Sequence, residues 1–213
     1  MRAKTETRRQ AILDAAAVVF QEMGFERTTM AAICARLGYS KATLYNYFAS
    51  KEELFSVMVF EATEAEFQAT LAALDATLPD ITAALQQFGQ RLLALLYSPP
   101  VQAVRRLTVA EAGRSALGRQ CYELGPVRSE AATAVFLQRA MDAGQLRQAN
   151  ARVAALHLRG LLEAEWLDRF LCQMLESVSP AEIEASVRRA VAAFMAAYGP
   201  LENQAGKKPS TDK

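Results

Sequence analysis

Long apolar runs, paired cysteines and histidines are all scarce in this 213-residue sequence. No stretch approaches the roughly 20 uncharged apolar residues that a membrane-crossing helix requires, and charges interrupt every candidate, so no membrane span is expected. Only three cysteines occur, Cys34, Cys121 and Cys172. They lie far apart among Ala, Ile, Leu or Tyr and form no CxxC pair. That argues against disulfides and a zinc site, and for buried thiols in a reducing cytoplasm. His157 is the single histidine, so it reads as a core or interface residue rather than a ligand. Glu111, Glu163 and Glu165 have no nucleophile, metal set or Gly-rich phosphate loop beside them, so they read as surface charges or pocket polar groups. The start, Met1-Arg-Ala-Lys-Thr-Glu, has no apolar segment directly behind its basic residues, so no secretory signal is expected. Strand alternation never lasts more than a few residues, and there is no internal repeat. An all-α, cytoplasmic protein without a metal or cofactor is expected.

What is present is apolar and helical. Hydrophobic residues make up 52% of the chain, enough to bury the core of one or two domains. The net charge of +1 hides an asymmetry: residues 1–51 carry +4 and residues 52–213 carry −3. Basic charge gathered in one small segment suits a phosphate-binding module. Periodicity and caps place helices at 7–23, from Thr28 or Thr29 to 37, 41–47, 51–77, 81–97, 101–115, 117–124, 127–143, 150–176 and 181–198. Gly125-Pro126 and Gly144 punctuate them, and 203–213 reads as a disordered polar tail.

The most informative segment runs from Thr28 to Leu54. Two short helices are joined by Gly38-Tyr39-Ser40, and glycine alone enters a left-handed turn without steric cost. Ile33, Leu37, Leu44 and Phe48 fall on faces that can meet under the turn. Lys41, Thr43, Asn46 and Tyr47 then point outward from a short, braced helix, as groove reading and phosphate gripping require. Thr29, Ser40 and Lys51 stand beside helix N-termini whose free N–H groups suit phosphate oxygens.

From about Arg9 to Leu54 the sequence resembles the DNA-binding domain of the tetracycline-repressor (TetR) family. The matching elements are Ile12-Leu-Asp-Ala-Ala, Phe20, Gly24-Phe25, Thr28-Thr29, Ile33, Gly38, Ser40, Thr43-Leu44-Tyr45, Tyr47-Phe48 and Ser50-Lys51-Glu52-Glu53-Leu54. Tyr39, where the family usually has a small aliphatic residue, and Ala42, where glycine is common, are departures that could shift base preference. The resemblance implies DNA contacts at Thr29, Ser40, Lys41, Thr43, Tyr45, Asn46, Tyr47 and Lys51, and a two-fold homodimer on a partly palindromic double-stranded operator. Arg105–Arg114 with Tyr122-Glu-Leu-Gly-Pro126 is similar to the AefR-like or AcrR-like C-terminal domains.

These readings make 1–55 a helix-turn-helix domain and 56–202 a helical effector-binding and dimerisation domain. The expected function is a ligand-responsive regulator, a repressor by resemblance, released by a small, largely hydrophobic effector. Two alternatives stay open: a constitutive regulator or activator without an effector, and an enzyme with a DNA-binding tether. Candidate effector residues are Phe60, Phe88, Arg106, Glu111, Tyr122, Trp166 and Phe170. The stripe Ile183, Val187, Ala190, Val191, Phe194 and Tyr198, with Val153, His157, Gly160, Leu161, Ala164 and Phe170, is expected to form a four-helix dimer interface. The 51–77 helix is expected to carry a ligand-driven tilt to the DNA-binding end.

Overall fold

A computed structural model describes residues 2–74, 80–175 and 177–200, with side chains from Thr5 onward. The expected tail 203–213, and the ends of the helices expected to reach 77 and 176, lie outside the described residues or run into them. The fold is all-α. In chain order the helices are α1 Arg2–Met23, α2 Met30–Leu37, α3 Lys41–Tyr45, α4 Lys51–Ala62, α5 Glu64–Ala72, α6 Ile81–Leu96, α7 Pro99–Ala110 and α8 Leu117–Tyr122. A π-helical turn, Glu123–Val127, leads into α9 Arg128–Asp142, followed by α10 Ala151–Glu163, α11 Leu167–Leu171 and α12 Pro180–Tyr198.

Three boundaries differ from the sequence reading, each for a local reason. The long helix expected over 51–77 is interrupted at Thr63, whose hydroxyl donates back to the Val59 carbonyl at 2.8 Å. Such back-bonding competes with the helical ladder and bends it. The helix expected over 150–176 stops at Glu163, because the chain turns to carry Trp166 into the core. There its indole N–H donates to the Ser186 hydroxyl at 3.1 Å, and that hydroxyl donates to the Ile183 carbonyl at 3.0 Å. Gly125-Pro126 does not break the chain either. It sits inside the π turn, where the wider helix absorbs a residue lacking an N–H.

By packing, the chain separates into two compact units, Met1–Ala69 with Leu95–Arg128, and Thr70–Ala94 with Ser129–Lys213. The first has two apolar clusters. Ile12, Ala16, Phe20, Ile33, Leu44, Phe48 and Leu54 bury the three-helix head. Val59 of α4 joins Val104, Leu117 and Cys121, so α7 and α8 pack on the helix that leaves the head. Arg128 closes this unit with a two-pronged grip on Glu64, at 2.6 and 2.9 Å, and its guanidinium lies 4.6 Å over Phe67.

The second unit is a bundle built on α6, α9, α10 and α12. Phe88, Leu93, Leu137, Met141, Leu158, Val187 and Phe194 are among its most enclosed side chains. A Cβ on Gly89 of α6 would stand 2.7 Å from Leu162 and 2.9 Å from Val187, so only glycine lets α6 come this close to α10 and α12. The α12 stripe from Ile183 to Tyr198 is buried inside this bundle and does not form the outward face expected of it. Of the thiols expected to be buried, Cys34 and Cys121 are, while Cys172 is exposed. His157 is exposed on α10, with its Nδ1 2.6 Å from the Tyr198 hydroxyl on α12.

Candidate nucleic-acid interface

In the head, α2, α3 and α4 each begin at a residue whose side chain ties the helix start. Thr29 caps α2, its hydroxyl accepting the Ala32 N–H at 3.1 Å. Thr28, almost wholly enclosed, donates to the Gly24 carbonyl at 2.7 Å and anchors the loop before it. Gly38 ends α2 with φ 68° and ψ 18°, the left-handed geometry that the spacing predicts. Ser40 then caps α3 by accepting the Thr43 N–H at 3.1 Å, and the two hydroxyls share a further bond of 2.9 Å. Ser50 accepts the Glu53 N–H at 3.1 Å, and Glu53 reaches back to the Ala49 N–H at 2.7 Å. Each bond satisfies a helix-end group that would otherwise need water, which fixes where the helix starts.

Behind this frame Leu44 and Phe48 are buried, while Lys41, Tyr45 and Asn46 are exposed, Tyr45 by 51%. Thr43 is half-buried through its bond to Ser40, and Tyr47 packs partly against the head core. Tyr39, one of the two departures from the family pattern, also leans on that core, whereas Ala42 is exposed. Lys51 is engaged within the head. Its ammonium donates to the Phe25 carbonyl at 3.0 Å and lies 4.2 Å over the Phe25 ring. Phe25 in turn joins Phe20 and Phe55 in a three-ring cluster with centroid separations of 5.0 to 5.9 Å. The eight residues thus form four groups: exposed Lys41, Tyr45 and Asn46 on and just after α3, the hydroxyls of Thr29, Ser40 and Thr43 engaged at helix starts, Tyr47 packed partly on the core, and Lys51 seated on an aromatic platform.

Sequence reasoning missed what braces this head from outside residues 1–55. Arg9 of α1 pairs with Glu61 of α4 at 2.6 Å. Gln120 of α8 donates to the second oxygen of Glu53 at 3.2 Å, the same carboxylate that holds Ala49. In the sequence Glu53 stands out only within the matching Ser50–Leu54 stretch, which says nothing of a partner 67 residues away.

The seven effector candidates divide between the units. In the first, Phe60 is half-buried beside Gly125, and Tyr122 is exposed. Arg106 is exposed and donates to Gln102 at 3.1 Å, while Glu111 ends α7 half-exposed. In the second, Trp166 and Phe170 are enclosed in the core. Phe88 lines a small cavity that none of the other six shares. No group of three or more metal-ligating side chains occurs among the described residues. No helix among them is long and apolar enough to cross a membrane.

Known proteins share this architecture. Residues 12–58 match the family described as bacterial regulatory proteins, tetR family, and residues 83–200 match the AefR-like transcriptional repressor C-terminal domain. The transcriptional regulator UidR of Escherichia coli is 30% identical over 155 residues, covering 64% of this chain and 79% of UidR. A solved TetR-family regulator from Mesorhizobium loti is 30% identical, with a TM-score of 0.77, covering 91% of this chain and 98% of that one. The flavonoid-responsive regulator FrrA is 29% identical, with a TM-score of 0.66, covering 92% of this chain and all of its own. Its relatives are transcriptional regulators, and the family comprises DNA-binding regulators that generally repress. The capped turn between α2 and α3, the outward groups on α3 and these matches converge: the chain belongs to the TetR family of transcriptional regulators, with an AefR-like C-terminal domain.

Proposed function

We propose that this regulator is a repressor that binds a partly palindromic operator as a homodimer in the cytoplasm and is released by a small, largely apolar effector. The observation that carries the reading is α3 itself, capped at Ser40 and backed by Leu44 and Phe48 while Lys41, Tyr45 and Asn46 face solvent. In a major groove these three side chains reach base edges or phosphates. Thr29, Ser40, Thr43, Tyr47 and Lys51 set the register and contact the backbone at the helix ends. Residues 1–55 read the DNA, and 56–202 sense and dimerise.

The dimer uses what the bundle leaves uncovered. Val153, Leu156, Leu167, Leu171 and Met174 are 39 to 73% exposed on α10, α11 and the turn that follows. Gly160 on α10 and Ala164 just past its end, with Ala192 and Ala196 on α12, are exposed and small enough for close helix approach across a two-fold axis. Exposed apolar surface gathered on one element marks an association site. FrrA, named for its flavonoid response, supports a small aromatic effector. Among the candidates Phe88 has the best claim to it, because it borders a cavity.

The test is a titration of the full chain against a selected DNA library at several salt concentrations. Sequence-specific binding is expected, weakening linearly in log–log form with salt as released counterions dictate. A chain that ignores every sequence at low salt refutes the reading.

A further inference from the structure

Buried or half-buried hydroxyls on the helices of this protein can bond back to the preceding turn, as Thr108 does at 2.9 Å and Ser186 at 3.0 Å. Ser129 and Thr133 on α9 do not. They are only 6 and 4% exposed, and neither hydroxyl has a hydrogen-bond partner among the described residues. Four residues apart, they lie one above the other on the buried face of α9. Both line a cavity of about 10 Å³, room for one water-sized sphere. The walls are apolar: Phe88 and Leu92 from α6, and Leu158 from α10. Both residues border the cavity and neither hydroxyl is spent on the protein, so a molecule entering it meets two free hydrogen-bonding groups side by side. Ser56 also lacks a partner, but it does not border this cavity and offers nothing to bind.

We infer that this cavity is the seat of the effector's polar head, and that the effector is an uncharged molecule with an apolar body and a hydroxyl, a phenol or an alcohol. This rests on the proposed ligand response. Charge is disfavoured by the neighbours. Glu130 lines the cavity but is paired with Arg152 at 2.7 Å, and Arg159 lines it but is paired with Glu163 at 3.2 Å. Each charged neighbour already has its counter-charge, so an ionic head would have to share a pair that is already balanced and shed its own hydration to do so. A hydroxyl head instead donates to one of the two oxygens and accepts from the other, satisfying both. Its body needs more than one water's volume, and the lining has a movable side. The Arg159 side chain is 29% exposed. It swings outward on α10, while the Phe88 wall stays fixed in the core.

The experiment is calorimetric titration of the full-length protein with phenol, cyclohexanol, toluene and benzoate, repeated on the Ser129→Ala/Thr133→Val variant. Phenol and cyclohexanol are expected to bind the natural chain, benzoate not to, and toluene to bind more weakly. The variant should lose at least tenfold in affinity for both hydroxyl compounds while keeping or improving its affinity for toluene. It should also melt no lower than the natural chain without ligand, because it removes two hydroxyls that bond to nothing. Hydroxyl probes that fail to bind at millimolar concentration, or that bind both proteins equally, overturn the inference. A variant that is less stable overturns it too, since that makes the hydroxyls structural. Operator binding is measured separately, so a chain that binds phenol but no DNA sinks the regulator and spares the cavity.

Discussion

Lys51 serves two neighbours at once. Its ammonium carries three donors, and the Phe25 carbonyl takes one of them. The remaining two are free to face a phosphate while the aromatic platform holds the stem. Lys51→Ala is therefore expected to weaken binding to all DNA sequences and to lower the salt slope by about one. Lys41→Ala should change which bases are preferred, by about 1–3 kcal/mol for a lost base contact. Library selection at two salt concentrations separates the two behaviours. A second residue-scale prediction concerns acid. The Arg128 guanidinium holds the Glu64 carboxyl down to about 2, with a further bond from Gln68. A carboxylate held low stabilises the fold above its ordinary value of 4.5, and that contribution is lost as the pH falls through about 2. The two side chains are 37 and 43% exposed, so the pair contributes no more than about 1 kcal/mol. Carbon-detected titration should find Glu64 ionised well below pH 4 in the natural chain and returning to the ordinary carboxylate range in Arg128→Gln. An unchanged titration rejects the pairing.

At the scale of helices, the ends that carry their own chemistry were legible in the sequence. Ser40 caps where the sequence places it, and of Thr28 and Thr29 it is Thr29 that caps α2, because a cap is decided within four residues. The interruptions at Thr63 and after Glu163 were not legible, since apolar periodicity continues across both and what breaks them lies elsewhere: a hydroxyl's choice of acceptor, and an indole seeking Ser186. The α12 stripe shows a second limit. An apolar face announces that something covers it, but not whether the cover comes from the same chain or another copy. Here α10 covers it, so Phe194→Arg would bury a charge and unfold the bundle rather than separate subunits. The crossing at Gly89 gives a sharper test of the packing. Gly89→Ala improves helix propensity, yet its Cβ meets Leu162 at 2.7 Å. A net destabilisation of about 1–3 kcal/mol is expected from overpacking, read as a shift in the urea midpoint. A more stable variant would mean that the crossing is looser than described.

For the molecule as a whole, assembly and modularity are the open quantities. A Cβ on Gly160 meets nothing within 4 Å, so a larger residue there leaves the bundle's interior untouched. On the proposed dimer, Gly160→Arg is expected to fold normally, to sediment as a monomer while the natural chain sediments as a dimer, and to lose cooperative operator binding. A variant that still dimerises would move the interface off this face. The eight expected DNA contacts all lie within residues 1–55, but packing divides the chain differently, placing Leu95–Arg128 with the head. Val104, Leu117 and Cys121 cover Val59, and Gln120 shares the carboxylate that fixes Ala49. Anyone building a hybrid regulator by joining this head to a foreign sensor at residue 55 would therefore strip an apolar flank and leave Glu53 with one fewer partner. The transplantable piece is discontinuous. A working graft has to import α7 and α8 together with α1–α4, and in natural recombination the same requirement would penalise a single crossover between head and sensor.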